Sequence, residues 1–323
     1  MTVPIQRPDN METIITTSVQ RPDNILWTAL ITPLDAYGRV SESDLGRLLK
    51  EQEQAGNGIL VLGSTGEALN LTDAEKRQIV EFTVSMKLNV PVMAGVGGHN
   101  MEAALNWLAF LETQPLDAYL MVTPIYAKPG PNGQYHWFKT LMDRSSRPVM
   151  LYNVPGRSAC ALSIEAVERL NDHPAFWAIK EASGSPVQFR RYCEAAGKGV
   201  VFSGDDAMMP DFAPLGAAGL VSVASNAWPR ETRLYTRMAL DFQLRQLDIG
   251  MWRAVSDSLF TASNPVPVKC LLARLGRIGS PTLKPPLHHS DMGSMQEISD
   301  ASENVSTWFQ AHSAYFVRET ENV

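Results

Sequence analysis

From Trp27 onward the chain alternates between short apolar, β-prone runs and longer polar stretches. The runs are WTALIT (27–32), GILVLG (58–63), PVMAGV (91–96), AYLMVT (118–123), PVMLYN (148–153), FWAIK (176–180), VVFSG (200–204) and GLVSVA (219–224). Each run is continuous rather than alternating, which suits strands covered on both faces. The segments between them carry helical periodicity. Residues 41–56 place Leu45, Leu48 and Leu49 on one stripe, and residues 71–86 do the same with Ile79, Val80 and Phe82. Thr72 and Glu75 have the spacing of a capping box. Strands alternating with helices predict an all-parallel sheet. Eight such units predict an α/β fold closed as a (β/α)8 TIM barrel. A doubly wound open sheet is the rival, but the first run leads into TPLDAYG and not into a glycine-rich phosphate turn.

Beyond residue 228 no strand pattern recurs. Residues 234–255, 266–275 and 295–316 read as three helices, and residues 280–291 as a proline-rich connector. The expected division is a polar extension at 1–24, disordered, a barrel over 25–228 and a C-terminal helical region over 229–323. The extension carries QRPDN twice, at 6–10 and 20–24.

Composition narrows the function. The chain has 323 residues and a net charge of −6, with 45% hydrophobic residues. That is ample core material, and the acidity argues against nucleic-acid or anionic-membrane binding. No apolar run approaches the roughly 18 residues of a membrane span. No basic region followed by an apolar segment marks a secretory signal. Cys160, Cys193 and Cys270 are too scattered for a disulfide framework or a zinc finger, and a reducing cytoplasm suits them.

Barrel enzymes work at the C-terminal ends of their strands, and there the chain gathers its polar residues. Lys180 closes the apolar run FWAI, so its amine is expected to point into the barrel. Burial disfavours an ammonium, and a neutral amine can attack a ketone to form a Schiff base. The alternative is a lysine paired with Glu181 or an aspartate. Tyr152 also closes a run, as a proton relay or as a core tyrosine. Ser64, Thr65 and Gly66 precede a helix and could hold a small carboxylate or simply cap it. Arg157 could fork onto a second carboxylate or lie at the surface. Asp205 and Asp206 are expected to be structural rather than a magnesium pair, and His288 and His289 to lie in a solvated loop. No metal site is expected. Together these residues describe a Schiff-base lyase or aldolase acting on small keto acids.

With GSTGEALNL (63–71), VTPIY (122–126), YNVPGRS (152–158), IKEASG (179–184), SGDD (203–206), GAAGLVSVASN (216–226) and NPVPVK (264–269), the chain resembles the dihydrodipicolinate synthase and N-acetylneuraminate lyase family of class I aldolases. Arg157 favours the dihydrodipicolinate synthase branch, whose second substrate offers a carboxylate there. The resemblance implies condensation of pyruvate with (S)-aspartate 4-semialdehyde on the diaminopimelate route to lysine. It implies an imine on Lys180 and no separate cofactor. Ser64 and the Thr65 N–H would hold the pyruvate carboxylate, while Gly204 and Val221 line its pocket. Tyr152, Thr65 and Tyr126 would relay protons, with Tyr126 reaching a neighbouring subunit in a dimer of dimers. Another pyruvate-dependent aldolase, such as a sugar-acid lyase, and a silent keto-acid-binding barrel are the alternatives. The family's lysine-feedback site is poorly kept, with Asp73, Lys76, His99, Ala103 and Ile125 at its positions, so weak or absent lysine inhibition is expected.

Overall fold

The computed structural model describes residues 21–320. Eight parallel strands close into a barrel in sequence order: β1 (Leu26–Ala29), β2 (Gly58–Val61), β3 (Val92–Val96), β4 (Ala118–Val122), β5 (Val149–Asn153), β6 (Phe176–Glu181), β7 (Val200–Ser203) and β8 (Ala217–Ser222), with β8 pairing back onto β1. Each strand falls within, or within one or two residues of, an apolar run of the sequence. All but one residue of the first six strands are fully buried, because helices cover the outside and side chains fill the inside.

Two apolar layers result. The outer one is a single cluster joining the strands' outward faces to the helices. The inner one fills the barrel and includes Trp27, Met150, Tyr152, Ala178, Phe202 and Val221. Aromatic rings pack edge to face there, with Trp27 at 5.9 Å from Trp177 and Trp177 at 5.8 Å from Phe202. Trp27 fits because β2 begins with Gly58, where a Cβ would come within 2.7 Å of its ring.

Between β5 and β6 the register slips: Val149 faces Phe176, but Met150 faces Ala178. This bulge leaves Trp177 unpaired and turned, with Ala178, toward the barrel interior. From there the two-residue period carries Lys180 to the same inner face, directly opposite Tyr152.

The capping box forms as expected. The Thr72 side chain accepts from the Glu75 N–H, and the Glu75 carboxylate accepts from the Thr72 N–H at 2.9 Å, opening the helix Asp73–Ser85. The Asp205–Asp206 pair is structural. Asp206 is buried and accepts from the Ser222 hydroxyl and the Val223 N–H, tying the ends of β7 and β8 together. His288 and His289 are exposed, their rings stacked at 4.4 Å.

Three expectations need correction. The helix expected over 234–255 is two helices, Pro229–Leu240 and Gln246–Ser258. Phe242, at φ 56°, breaks the first, and the Asp248 carboxylate starts the second by accepting from the Arg245 N–H at 3.0 Å. The first of these helices packs on β8 and β1 as the barrel's own eighth helix, so the barrel runs past residue 228. At the other end the ordered chain begins before residue 25. Arg21 donates to the Phe176 and Lys198 carbonyls, and Asn24 donates to the Gly56 carbonyl at 3.0 Å while accepting from Leu26 N–H. The first QRPDN copy lies outside the described residues, as does Gln20 of the second.

The C-terminal helices Val266–Arg274 and Gln296–Thr320 complete the chain. The last one packs on both preceding long helices. Trp308 meets Trp252 edge to face at 5.3 Å and donates to Asp248, and Trp252 stacks on Tyr235 at 4.3 Å.

Candidate active site

The C-terminal ends of β2, β4, β5, β6 and β7 bring the candidate residues to one rim. Lys180 is 4% exposed and forms no ion pair among the described residues. Its Nζ lies 4.3 Å from the centroid of the Tyr152 ring. The neighbouring Glu181 does not pair with it, since strand alternation sends that carboxylate to the outer face. There Glu181 accepts from the Asn153 amide at 2.5 Å and from the N–H and hydroxyl of Ser183. Burial pushes the Glu181 carboxyl up, which the Ser183 and Asn153 hydrogen bonds only partly offset.

Gly204 follows β7 beside Lys180. A Cβ there would sit 2.9 Å from both Cγ and Cε of the lysine and 2.8 Å from the Ala182 Cβ. The missing side chain is what leaves room for the buried lysine stem. Val221 is buried in the barrel interior, level with Trp27.

A cavity of about 580 Å³ opens at this rim. Tyr152, Val154 and Arg157 line it from the end of β5, and Gly63 and Ser64 from the end of β2. Arg157 rides on the short helix Pro155–Ser158 immediately after β5 and donates to the Asn264 carbonyl at 3.2 Å. The cavity therefore has a phenol, a hydroxyl and a guanidinium on its walls, with a buried amine against the phenol ring. That set can hold carboxylates and move protons beside a nucleophilic nitrogen. Farther out it reaches Asp73, Lys76, Ala103 and Ile125, where Lys76 pairs with Asp73 at 2.9 Å. His99 is exposed and does not line it.

Thr65 is buried and accepts from the Asn264 amide at 2.9 Å. Tyr126 is not brought into the same chain's site. It is 89% exposed, at φ 66°, on the loop after β4, while its neighbour Ile125 faces the cavity.

The supports beneath the GSTGE loop escaped the sequence reading. Lys269 and Glu67 form an ion pair at 2.7 Å with both side chains fully buried. Lys269 also donates to the Thr32 carbonyl at 2.9 Å, and Glu67 accepts from the Lys284 N–H at 2.7 Å. Burial pushes the Lys269 ammonium down, and Glu67 opposes that shift. Lys284 further reaches Glu75 with its own ammonium. Thus the proline-rich connector and the NPVPVK segment hold the loop from outside the barrel. The only sequence signal was the apolar setting of Lys269 within VPVKCLL. Among the described residues no group of three or more His, Cys, Asp or Glu side chains could hold a metal ion.

Comparison with known proteins agrees with this geometry. The model of the Dihydrodipicolinate synthetase family matches residues 23–304. A 4-hydroxy-tetrahydrodipicolinate synthase from Francisella philomiragia is 44% identical over 287 residues, covering 89% of this chain and 97% of the relative. The solved 4-hydroxy-tetrahydrodipicolinate synthase of Methylacidiphilum fumariolicum SolV superimposes with a TM-score of 0.83 at 28% identity, covering 90% of this chain and 98% of that one. A monomeric dihydrodipicolinate synthase variant gives a TM-score of 0.82 at 27% identity, over 88% of this chain and 97% of its own.

Proposed function

The chain belongs to the Dihydrodipicolinate synthetase family, and from that premise we propose that its lysine-bearing rim carries out the family's condensation through an imine on Lys180. The protein is a lyase of the 4-hydroxy-tetrahydrodipicolinate synthase kind, joining pyruvate to (S)-aspartate 4-semialdehyde in lysine biosynthesis.

In the proposed sequence the Lys180 nitrogen attacks the pyruvate ketone, and the carbinolamine loses water to give the imine. Loss of a C3 proton turns the imine into an enamine. C3 then attacks the aldehyde carbon of the second substrate, whose oxygen takes up a proton. The substrate's own amine adds to the imine carbon and expels Lys180, which leaves with its nitrogen restored. One water is released for each pair of substrates. No separate cofactor is needed, since the imine itself serves as the electron sink.

Roles follow from position. Ser64 and the Thr65 N–H hold the pyruvate carboxylate, with Gly204 and Val221 shaping the space around it. Arg157 forks onto the carboxylate of the aldehyde. Tyr152, with Thr65, carries protons to and from the carbinolamine. The observation that carries the reading is Lys180 itself, a buried amine with no carboxylate partner, against the Tyr152 ring.

Tyr126 completes the relay from a second copy of the chain in a dimer of dimers. Its 89% exposure on the loop beside the cavity supports this. Sedimentation velocity with wild type and Tyr126→Ala tests it, and a fully active monomer would refute it. The cytoplasm is the proposed location. No helix among the described residues is long and apolar enough to cross a membrane, and the three cysteines are free.

The decisive experiment is borohydride reduction in the presence of pyruvate. A stable adduct is expected on the peptide carrying Lys180 and not in Lys180→Ala, which is expected to lose turnover. Active protein without an adduct would sink the imine route. A panel comparing pyruvate plus aspartate semialdehyde with sugar-acid cleavage distinguishes this reading from a related aldolase.

A further inference from the structure

Asn264 lies 199 residues from Thr65 in sequence, yet its side-chain amide donates to the Thr65 hydroxyl at 2.9 Å. The residue is 4% exposed, and its amide oxygen is buried with no hydrogen-bond partner. Its main-chain carbonyl accepts from Arg157. One residue outside the barrel strands thus touches two side chains of the rim.

A hydroxyl has one proton to give and two lone pairs. The Asn264 N–H occupies one lone pair of Thr65. The Thr65 proton must therefore point away from Asn264, and among the described residues it has no other partner. The reverse arrangement, with Thr65 donating to the amide oxygen, would satisfy that oxygen and consume the proton. Leaving a buried acceptor unpaired costs about 1–3 kcal/mol, so the observed orientation keeps the hydroxyl as a donor at the expense of local stability.

We propose that Asn264 is a positioning residue for proton transfer: by donating to Thr65 it sets the direction of that hydroxyl and keeps its proton free for the reacting groups. The proposal rests on the imine reading above and adds a residue to it. Asn264 acts through Thr65 and does not itself meet the substrate. Because the guanidinium of Arg157 is held by the main chain of Asn264, changing the side chain separates the two contacts.

Asn264→Asp tests the proposal at nearly constant shape. A carboxylate can only accept, so it draws the Thr65 proton to itself. Asn264→Ala removes the donor without replacing it. A positioned proton-transfer group contributes roughly 10²–10⁴-fold in rate, and misdirecting one is expected to lower kcat by about 10- to 100-fold. The KM for pyruvate should change little, and borohydride-trapped adduct should accumulate more slowly at Lys180. Adding Thr65→Val to Asn264→Asp should cause almost no further loss, since both act on one proton. Near-wild-type kcat in Asn264→Asp, or losses that multiply in the double variant, would overturn the proposal. Absence of any pyruvate adduct in the wild type would instead overturn the imine reading, and the proposal with it. Circular dichroism and melting temperature of each variant separate misfolding from the kinetic effect.

Discussion

At the scale of single residues, the site depends on which face of a strand each side chain takes. Lys180 and Glu181 are adjacent in sequence and opposite in environment. The lysine lies inside the barrel against Tyr152, and the glutamate lies outside on Asn153 and Ser183. Gly204 matters for what it lacks. Gly204→Ala puts a methyl 2.9 Å from two carbons of the Lys180 stem, with an overpacking cost of about 1–3 kcal/mol. A displacement near 1 Å can cost about 100-fold in rate, so kcat and adduct formation are expected to fall far more than the melting temperature. Steady-state kinetics beside thermal unfolding would check this; full activity would show that the lysine does not need the space. The outer cavity leads to a second expectation. With Lys76 and Ala103 lining it in place of the family's histidine and glutamate, free lysine should inhibit weakly or not at all. Inhibition at submillimolar lysine in a coupled assay would contradict that.

At the scale of elements, caps and bulges decide where helices start and how strands align. The Thr72–Glu75 box was legible because both partners sit within one turn. The break at Phe242 was not, since neither glycine nor proline marks it and a left-handed phenylalanine has no sequence signature. The next helix begins on Asp248. Hydrogen bonding to Arg245 holds the Asp248 carboxyl below the usual carboxylate range, outweighing its burial. The same group accepts from Trp308 on the last helix. A carboxyl whose folded pKa is depressed stabilises above its unfolded value, about 3.9, and loses that contribution as the pH falls through the folded value. Asp248→Asn should therefore lose about 1–3 kcal/mol at neutral pH. The gap to wild type should close at about pH 3 and below. Urea unfolding at the two pH values measures it, and a gap independent of pH would refute the assignment.

At the scale of the whole molecule, one barrel organises everything, and both chain ends are fastened to it. Arg21 and Asn24 bond to main-chain carbonyls at strand starts and the loops beside them. Removing residues 1–24 is therefore expected to lower the melting temperature below that of a chain lacking only residues 1–20, with kcat little changed in both. Equal melting temperatures would show that these contacts contribute nothing. At the other end, Lys269 crosses from the helix Val266–Arg274 to Glu67 and Thr32. The helical region after the barrel is thereby part of the active-site scaffold.

By itself the sequence determined the eight strands, the closed parallel barrel and the identity of the lysine, because burial on both faces writes continuous apolar runs and a charged residue ending such a run stands out. Motif resemblance supplied the remaining rim residues. Only the tertiary structure decided the bulge that turns Lys180 inward opposite Tyr152, the exposure of Tyr126, and the links from Asn264 to Thr65 and from Lys269 to Glu67. Those are contacts between segments nearly two hundred residues or more apart, or choices between two strand faces. Local periodicity carries no record of either, since each is settled when the barrel closes and the chain's end packs across it.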